Sequence, residues 1–96
     1  MFQYSVYYPK TAGASFDHDY YRDHHVPMVT KIFGLDSAVI ERGVDGPHEA
    51  ACHFLFATRE DCDAAFERAA EAGVSDDIKN YTSIVPVRQL SEVIHQ

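Results

Sequence analysis

The stretch Phe16 to Val29, FDHDYYRDHHVPMV, holds three of the chain's six histidines together with two tyrosines and three aspartates. Groups of these types can move protons, ligate a metal or orient a polar substrate, and their spacing decides among the three. On a helix turning about 100° per residue, Tyr21, His25, Met28, Val29 and Ile32 share one arc, so His25 faces inward. His24, Tyr20 and Lys31 fall on the flank, and the adjacent histidines do not form one site. Tyr21 and His25 are four apart, close enough for a phenol and an imidazole to share a pocket wall. An imidazole among apolar and phenolic groups is partly desolvated, which favours its neutral form and makes it a usable base near neutral pH. The same placement suits a core histidine whose nitrogen satisfies the carbonyl region near Asp23 that Pro27 frees, or a sheet group.

Other chemistries find less support. A metal needs three or four converging ligands, and the chain has no His-x-x-x-His pair; His18 lies seven before His25, at the wet start of the helix, so no metal site is expected. Asp17, Asp19 and Asp23 suit the positive helix N-terminus and solvent rather than an acid/base pair, and Glu60, Asp61 and Asp63 read as first-turn charges of a second helix. There is no Gly-x-Gly-x-x-Gly, P-loop, Gly-x-Ser-x-Gly or Cys-x-x-Cys, so no cofactor is expected and any catalysis must be simple.

The elements that must position His25 follow from periodicity. Phe2 to Tyr8 alternates as a first strand stopped by Pro9, with Tyr4 and Tyr8 on one face. Asp17 caps a helix running to Phe33, Phe16 staples onto Tyr21, and Gly34 ends it, with a kink expected at Pro27. Leu35 to Val44 reads as a second strand turning through Asp45-Gly46-Pro47 into a third, Glu49 to Thr58, whose Cys52, Phe54 and Phe56 oppose His53 and Leu55. Thr58 opens a second helix with the stripe Cys62, Ala65, Phe66 and Ala69, closed by Gly73. After a link through Asp76 and Tyr81, Thr82 to Ile94 is strand-like, with Pro86 marking an edge or bulge.

The order β-α-β-β-α-β predicts an α+β, ferredoxin-like fold, a four-stranded antiparallel sheet with both helices on one face, filling residues 1–96 as one domain. If the inner faces meet the first helix, Tyr4, Tyr8, Tyr21, His25 and Phe54 line a mostly apolar cleft suited to a flat, modestly polar small molecule; an ordinary aromatic core fits the same pattern. The other sheet face, with His53, is left bare, and a 96-residue chain has a marginal core, so a homodimer closing sheet on sheet is expected. With 15 Asp+Glu against 8 Lys+Arg, the net charge of −7 argues against nucleic acid and anionic membranes as partners. No apolar run is long enough to span a bilayer and the start lacks a secretory pattern, so a cytoplasmic protein is expected, with Cys52 and Cys62 as reduced packing residues.

Tyr7–Lys10 (YYPK), the helix-one run above, ERGVDG at 41–46, CHFLF at 52–56 and NYTSIVPVRQLSEVI at 80–94 together resemble the EthD family, named for ethyl tert-butyl ether degradation protein D. The resemblance runs over nearly the whole chain. Its most specific part is the pattern Asp19, Tyr20, Tyr21, His25 and Pro27, and Cys52 stands where the family commonly has Gly. The resemblance implies a dimeric α+β barrel, similar to cofactor-free monooxygenases and muconolactone isomerases. No general mechanism is attached to the family. Some fungal relatives look like dehydratases or decarboxylases with a His as acid/base, which lends weight to His25 as a catalytic candidate. Three functions are therefore open: a cofactor-free enzyme, of oxidoreductase, isomerase or lyase type, acting on a small aromatic or enolisable carbonyl compound, a non-catalytic accessory module beside a partner oxygenase, or an interaction protein with a packed core and no pocket.

Overall fold

Tyr4, Val6 and Tyr8 alternate with Ser5 and Tyr7, and Ala50, Cys52, Phe54 and Phe56 alternate with Ala51, His53 and Leu55, so each run carries one apolar face. In the computed structural model, which describes Met1–Gln96, the runs are β1 (Phe2–Pro9) and β3 (His48–Phe56). They pair antiparallel at the centre of the sheet, Tyr4 opposite Phe54 and Val6 opposite Cys52. Strands β2 (Val39–Arg42) and β4 (Val87–Glu92) are the edges, and the order β2-β3-β1-β4 is the ferredoxin-like arrangement expected from the element order.

The helical layer covers the Tyr4, Val6, Tyr8, Cys52, Phe54 face. Val29 and Phe33 from the first helical stretch and Cys62, Ala65 and Ala69 from α3 (Arg59–Ala72) pack into one core with those strand residues. The two cysteines are free and fully buried, and burial pushes the Cys52 thiol up to about 12, which leaves it protonated and inert. The opposite sheet face has no helix over it and exposes Val39, Leu55 and Val87.

Three stretches depart from the periodicity. The second strand is shorter than Leu35 to Val44 because the left-handed Gly34 closes the preceding helix and the Leu35 amide is spent on the Thr30 carbonyl. At its other end Gly43 leaves the ladder, its amide bonded to the Glu49 carbonyl, where any Cβ would collide with the His48 carbonyl oxygen. The last strand begins at Val87, not Thr82. Pro86 has no ladder donor, and Thr82 is spent elsewhere, its hydroxyl donating to the Ser15 carbonyl and accepting from the Ile84 amide. The link between α3 and β4 is itself a 3-10 helix, Val74–Asn80.

Thr58 caps α3 as the sequence indicates, its hydroxyl accepting from the Asp61 amide at 3.1 Å. Thr58→Ala should therefore lower stability by about 1 kcal/mol, while Thr58→Ser, which keeps the capping hydroxyl, should leave it nearly unchanged. Urea unfolding followed by circular dichroism checks this, with no change in the denaturant slope expected.

Candidate active site

The first helical stretch is built in three pieces. Asp17 accepts the Tyr20 amide at 3.0 Å and starts the single turn α1 (His18–Tyr20), while Phe16 packs edge-on against Tyr21 with centroids 5.1 Å apart. A π turn, Tyr21–His25, follows, in which the Val26 amide bonds the Tyr21 carbonyl five residues back. Then α2 (Val26–Phe33) resumes with Pro27 in its first turn, where a missing amide proton costs nothing. The discontinuity expected at Pro27 thus falls just ahead of it, as a widened turn. One extra residue in that turn carries the buried stripe onward: Tyr21, His25, Val26, Val29 and Phe33 are buried, and Met28 and Ile32 drop to its margin.

His25 is 7% exposed, and its ring nitrogen Nδ1 lies 2.9 Å from Oδ2 of Asp77 on the 3-10 helix. The other oxygen of Asp77 accepts from the Tyr20 hydroxyl and from Nδ2 of Asn80, both at 2.8 Å. Burial alone would raise the Asp77 carboxyl, but the bonds from Asn80, His25 and Tyr20 outweigh it and hold the group below its ordinary range. An ionised carboxylate only accepts, so Nδ1 carries the proton and donates it. Nε2 keeps its lone pair and has no hydrogen-bond partner in the protein. Burial lowers the His25 pKa below 6.5, against the smaller upward pull of Asp77. The result is a neutral, oriented imidazole with one free nitrogen.

Aromatic rings frame it. Tyr21 stacks on His25, the planes 14° apart, and Tyr81 lies 4.7 Å away. The hydroxyls of Tyr8 and Tyr81 are bonded at 2.6 Å. Burial drives the pKa values of Tyr8, Tyr21 and Tyr81 up, so all three are neutral phenols and potential donors.

Between α2, α3 and the inner sheet face lies a cavity of about 280 Å³. The structure brings Tyr4, Tyr8, Tyr21, His25 and Phe54 together on its wall. Three functional groups were not singled out from the sequence. Asp77, which orients His25, is indistinguishable in sequence from its neighbour Asp76; the only signal was that a buried imidazole needs a polar partner. In the sequence Tyr81 shows only as a link residue and Arg88 only as part of a strand.

The other histidines stand apart. His53 is on the helix-free face, held between Ser5 and Glu41 at 2.7 Å each. His18 is not simply wet at the helix start: it bonds Glu49 at 2.9 Å and packs on Phe16. His24 lies on the exposed flank beside Tyr20. No three His, Cys, Asp or Glu side chains converge as a metal site requires.

No family profile matches the chain, and no curated protein matches it in sequence. Among solved structures it is similar to an EthD-like protein of Ralstonia eutropha JMP134, with 38% identity over 99% of this chain and 93% of that one and a TM-score of 0.88. It also resembles an ethyl tert-butyl ether degradation family protein of Bacillus halodurans C-125, with 17% identity over 98% of this chain and 99% of that one and a TM-score of 0.74. A mutant of SnoaB, a cofactor-independent oxygenase from Streptomyces nogalater, shares the fold at 6% identity, a TM-score of 0.67 and coverage of 99% and 93%.

The His25–Asp77 pair sets a pH dependence. Because the folded-state pKa of His25 lies below its unfolded value of 6.5, the unfolded chain binds the extra proton first, and this part of the stability is lost as pH falls from 6.5 through the folded value. Asp77→Asn removes the upward pull, so the His25 midpoint should drop further. Proton NMR titration of the His25 ring in both proteins measures this, and an upward move would contradict the assigned geometry.

Proposed function

The chain belongs to the EthD-like family, and from that premise we propose that it binds a small, flat carbonyl or phenolic compound in the helix–sheet cavity and moves a proton on it with His25. The observation that supports this is the oriented imidazole: Nδ1 fixed on Asp77, Nε2 unpartnered, in a cavity ringed by neutral phenols. A substrate with an acidic C–H or O–H beside Nε2 loses its proton to His25, and Asp77 stabilises the imidazolium that forms. The electron pair left on the substrate collects on its oxygen. In the Tyr8–Tyr81 pair one hydroxyl donates to the other, so one proton remains for that oxygen.

Such an enolate or phenolate can be reprotonated at another carbon, can expel a β-leaving group, or can pass electrons to dioxygen. These are the isomerase, lyase and oxidoreductase outcomes of one deprotonation, and none of them calls for a resident cofactor. The protein acts as a homodimer in this reading, a second copy covering the sheet face that leaves Val39, Leu55 and Val87 exposed. A sedimentation experiment giving a monomer at micromolar concentration would sink that part.

Native mass spectrometry of the purified protein with a panel of phenols, quinones, lactones and β-dicarbonyls tests the rest. The expected outcome is one ligand per subunit, released with altered mass or structure. His25→Ala should still bind the compound while turnover falls about 10²- to 10⁴-fold. Full turnover by His25→Ala would end the proton-transfer assignment, and ligand bound but never converted would favour a binding module that serves a partner oxygenase.

A further inference from the structure

The cavity wall carries one permanent charge. Arg88 stands on β4 opposite Val6, on the sheet face that meets the helices, and lines the cavity with Val6 and Tyr8. Arg22 and Arg59 are paired with Asp23 and Asp63, and Arg68 donates to the carbonyls of Ile32 and Phe33. No carboxylate pairs with Arg88. Its guanidinium lies near phenols instead: burial raises the pKa values of Tyr4, Tyr8 and Tyr81, and Arg88 pulls each of them back down.

This placement is a local exception. The chain has a net charge of −7, so its overall field repels anions, and a surface with 15 acidic residues offers an arginine many partners. Arg88, like Arg42 on β2, has no carboxylate partner, but Arg88 alone of the arginines lines the cavity, whose other lining groups are mostly apolar, among them Phe33, Phe54 and Phe66. A guanidinium is the side chain best suited to an oxyanion, because its planar fork presents two parallel donors.

We infer that Arg88 is the anion-recognition residue of this cavity and that its ligand is a small organic anion: one carboxylate, phenolate or enolate oxygen group on a flat apolar body. This rests on the ligand-binding reading above and narrows it to a charge class. The cavity of about 280 Å³ is just below the usual range for ligand sites, about 300–1,000 Å³, which limits the body to one or two rings. Seating the charge on Arg88 also protects the base. An anion placed directly against His25 would draw a proton onto Nε2 and spend it in an ion pair, whereas Arg88 holds the charge and leaves the neutral imidazole for an acidic hydrogen on the same molecule.

The test compares 1-naphthoate with its uncharged isostere naphthalene-1-carboxamide by calorimetry, on the wild type, Arg88→Gln and Arg88→Lys. The wild type should bind the carboxylate about tenfold more tightly than the amide, the size expected of a charge-assisted hydrogen bond at a partly wet cavity mouth. Arg88→Gln should erase that preference without weakening the amide, and Arg88→Lys should keep most of it. 4-Nitrophenol, whose phenolate absorbs in the visible, separates the two sources of charge: bound as phenolate it extends the class to phenolates and enolates, and bound as phenol it restricts the class to carboxylates. Equal binding of carboxylate and amide by the wild type, or an unchanged preference in Arg88→Gln, overturns the Arg88 assignment alone. Binding of none of the three probes overturns the cavity reading and this inference with it. Unchanged thermal melting of the Arg88 variants, which alter an exposed edge-strand side chain, accompanies each comparison.

Discussion

The hydrogen bond between His25 and Asp77 joins two segments 52 residues apart, and much of the site depends on it. A buried imidazole without a partner costs about 1–3 kcal/mol, so the π turn that brings His25 inward is tolerable only if the 3-10 helix supplies an acceptor opposite. Asp77 meets that demand and two others, since Tyr20 and Asn80 also donate to it. The same carboxylate therefore fixes the rotamer of the ring, selects its tautomer and ties the first helical stretch to the segment leading into β4. Tyr81, one residue beyond that segment, closes the arrangement by reaching Tyr8 on the central strand.

What was legible in the sequence is what period and punctuation encode. The central strands show strict alternation, and α3 shows a helical stripe between Thr58 and Gly73, so β1, β3 and α3 were read nearly to their ends. Because β1 and β3 face the same way, alternation alone also placed Tyr4, Tyr8 and Phe54 on the wall that His25 and Tyr21 approach. The phase after Tyr21 was not legible: a uniform turn angle puts Met28 and Ile32 inward, while the π turn substitutes Val26 and Phe33. Nor was Asp77, because Asp76 and Asp77 are equivalent as letters and only the tighter winding of a 3-10 helix decides which one meets His25. The periodicity overextends the edge strands because their length is set by where donors are spent: Leu35 on Thr30 and Gly43 on Glu49, five and six residues away, and Thr82 on the distant Ser15.

The two sheet faces have been given different chemistry. On the inner face, rings stack and burial keeps tyrosines neutral; on the outer face, Ser5, His53 and Glu41 form a short hydrogen-bonded row across three adjacent strands. Polar groups arranged this way satisfy one another across the strands, so this face carries both hydrogen-bonded polar groups and the exposed Val39, Leu55 and Val87.

The cavity itself argues for an occupant. The cavity of about 280 Å³ opens to solvent, so water wets it and it is not the sealed void that weakens a core in proportion to its volume. Nothing in the local sequence demands the space: α3 presents Ala69 and Ala70 there, and longer apolar side chains at those positions would close it while keeping the helical stripe. Its lining has few polar residues, His25, Ser75, Arg88 and the tyrosines, among mostly apolar ones, so water there is poorly bonded. A flat apolar body lying on the aromatic wall would release that water, and the small side chains of Ala69 and Ala70 leave the room for it.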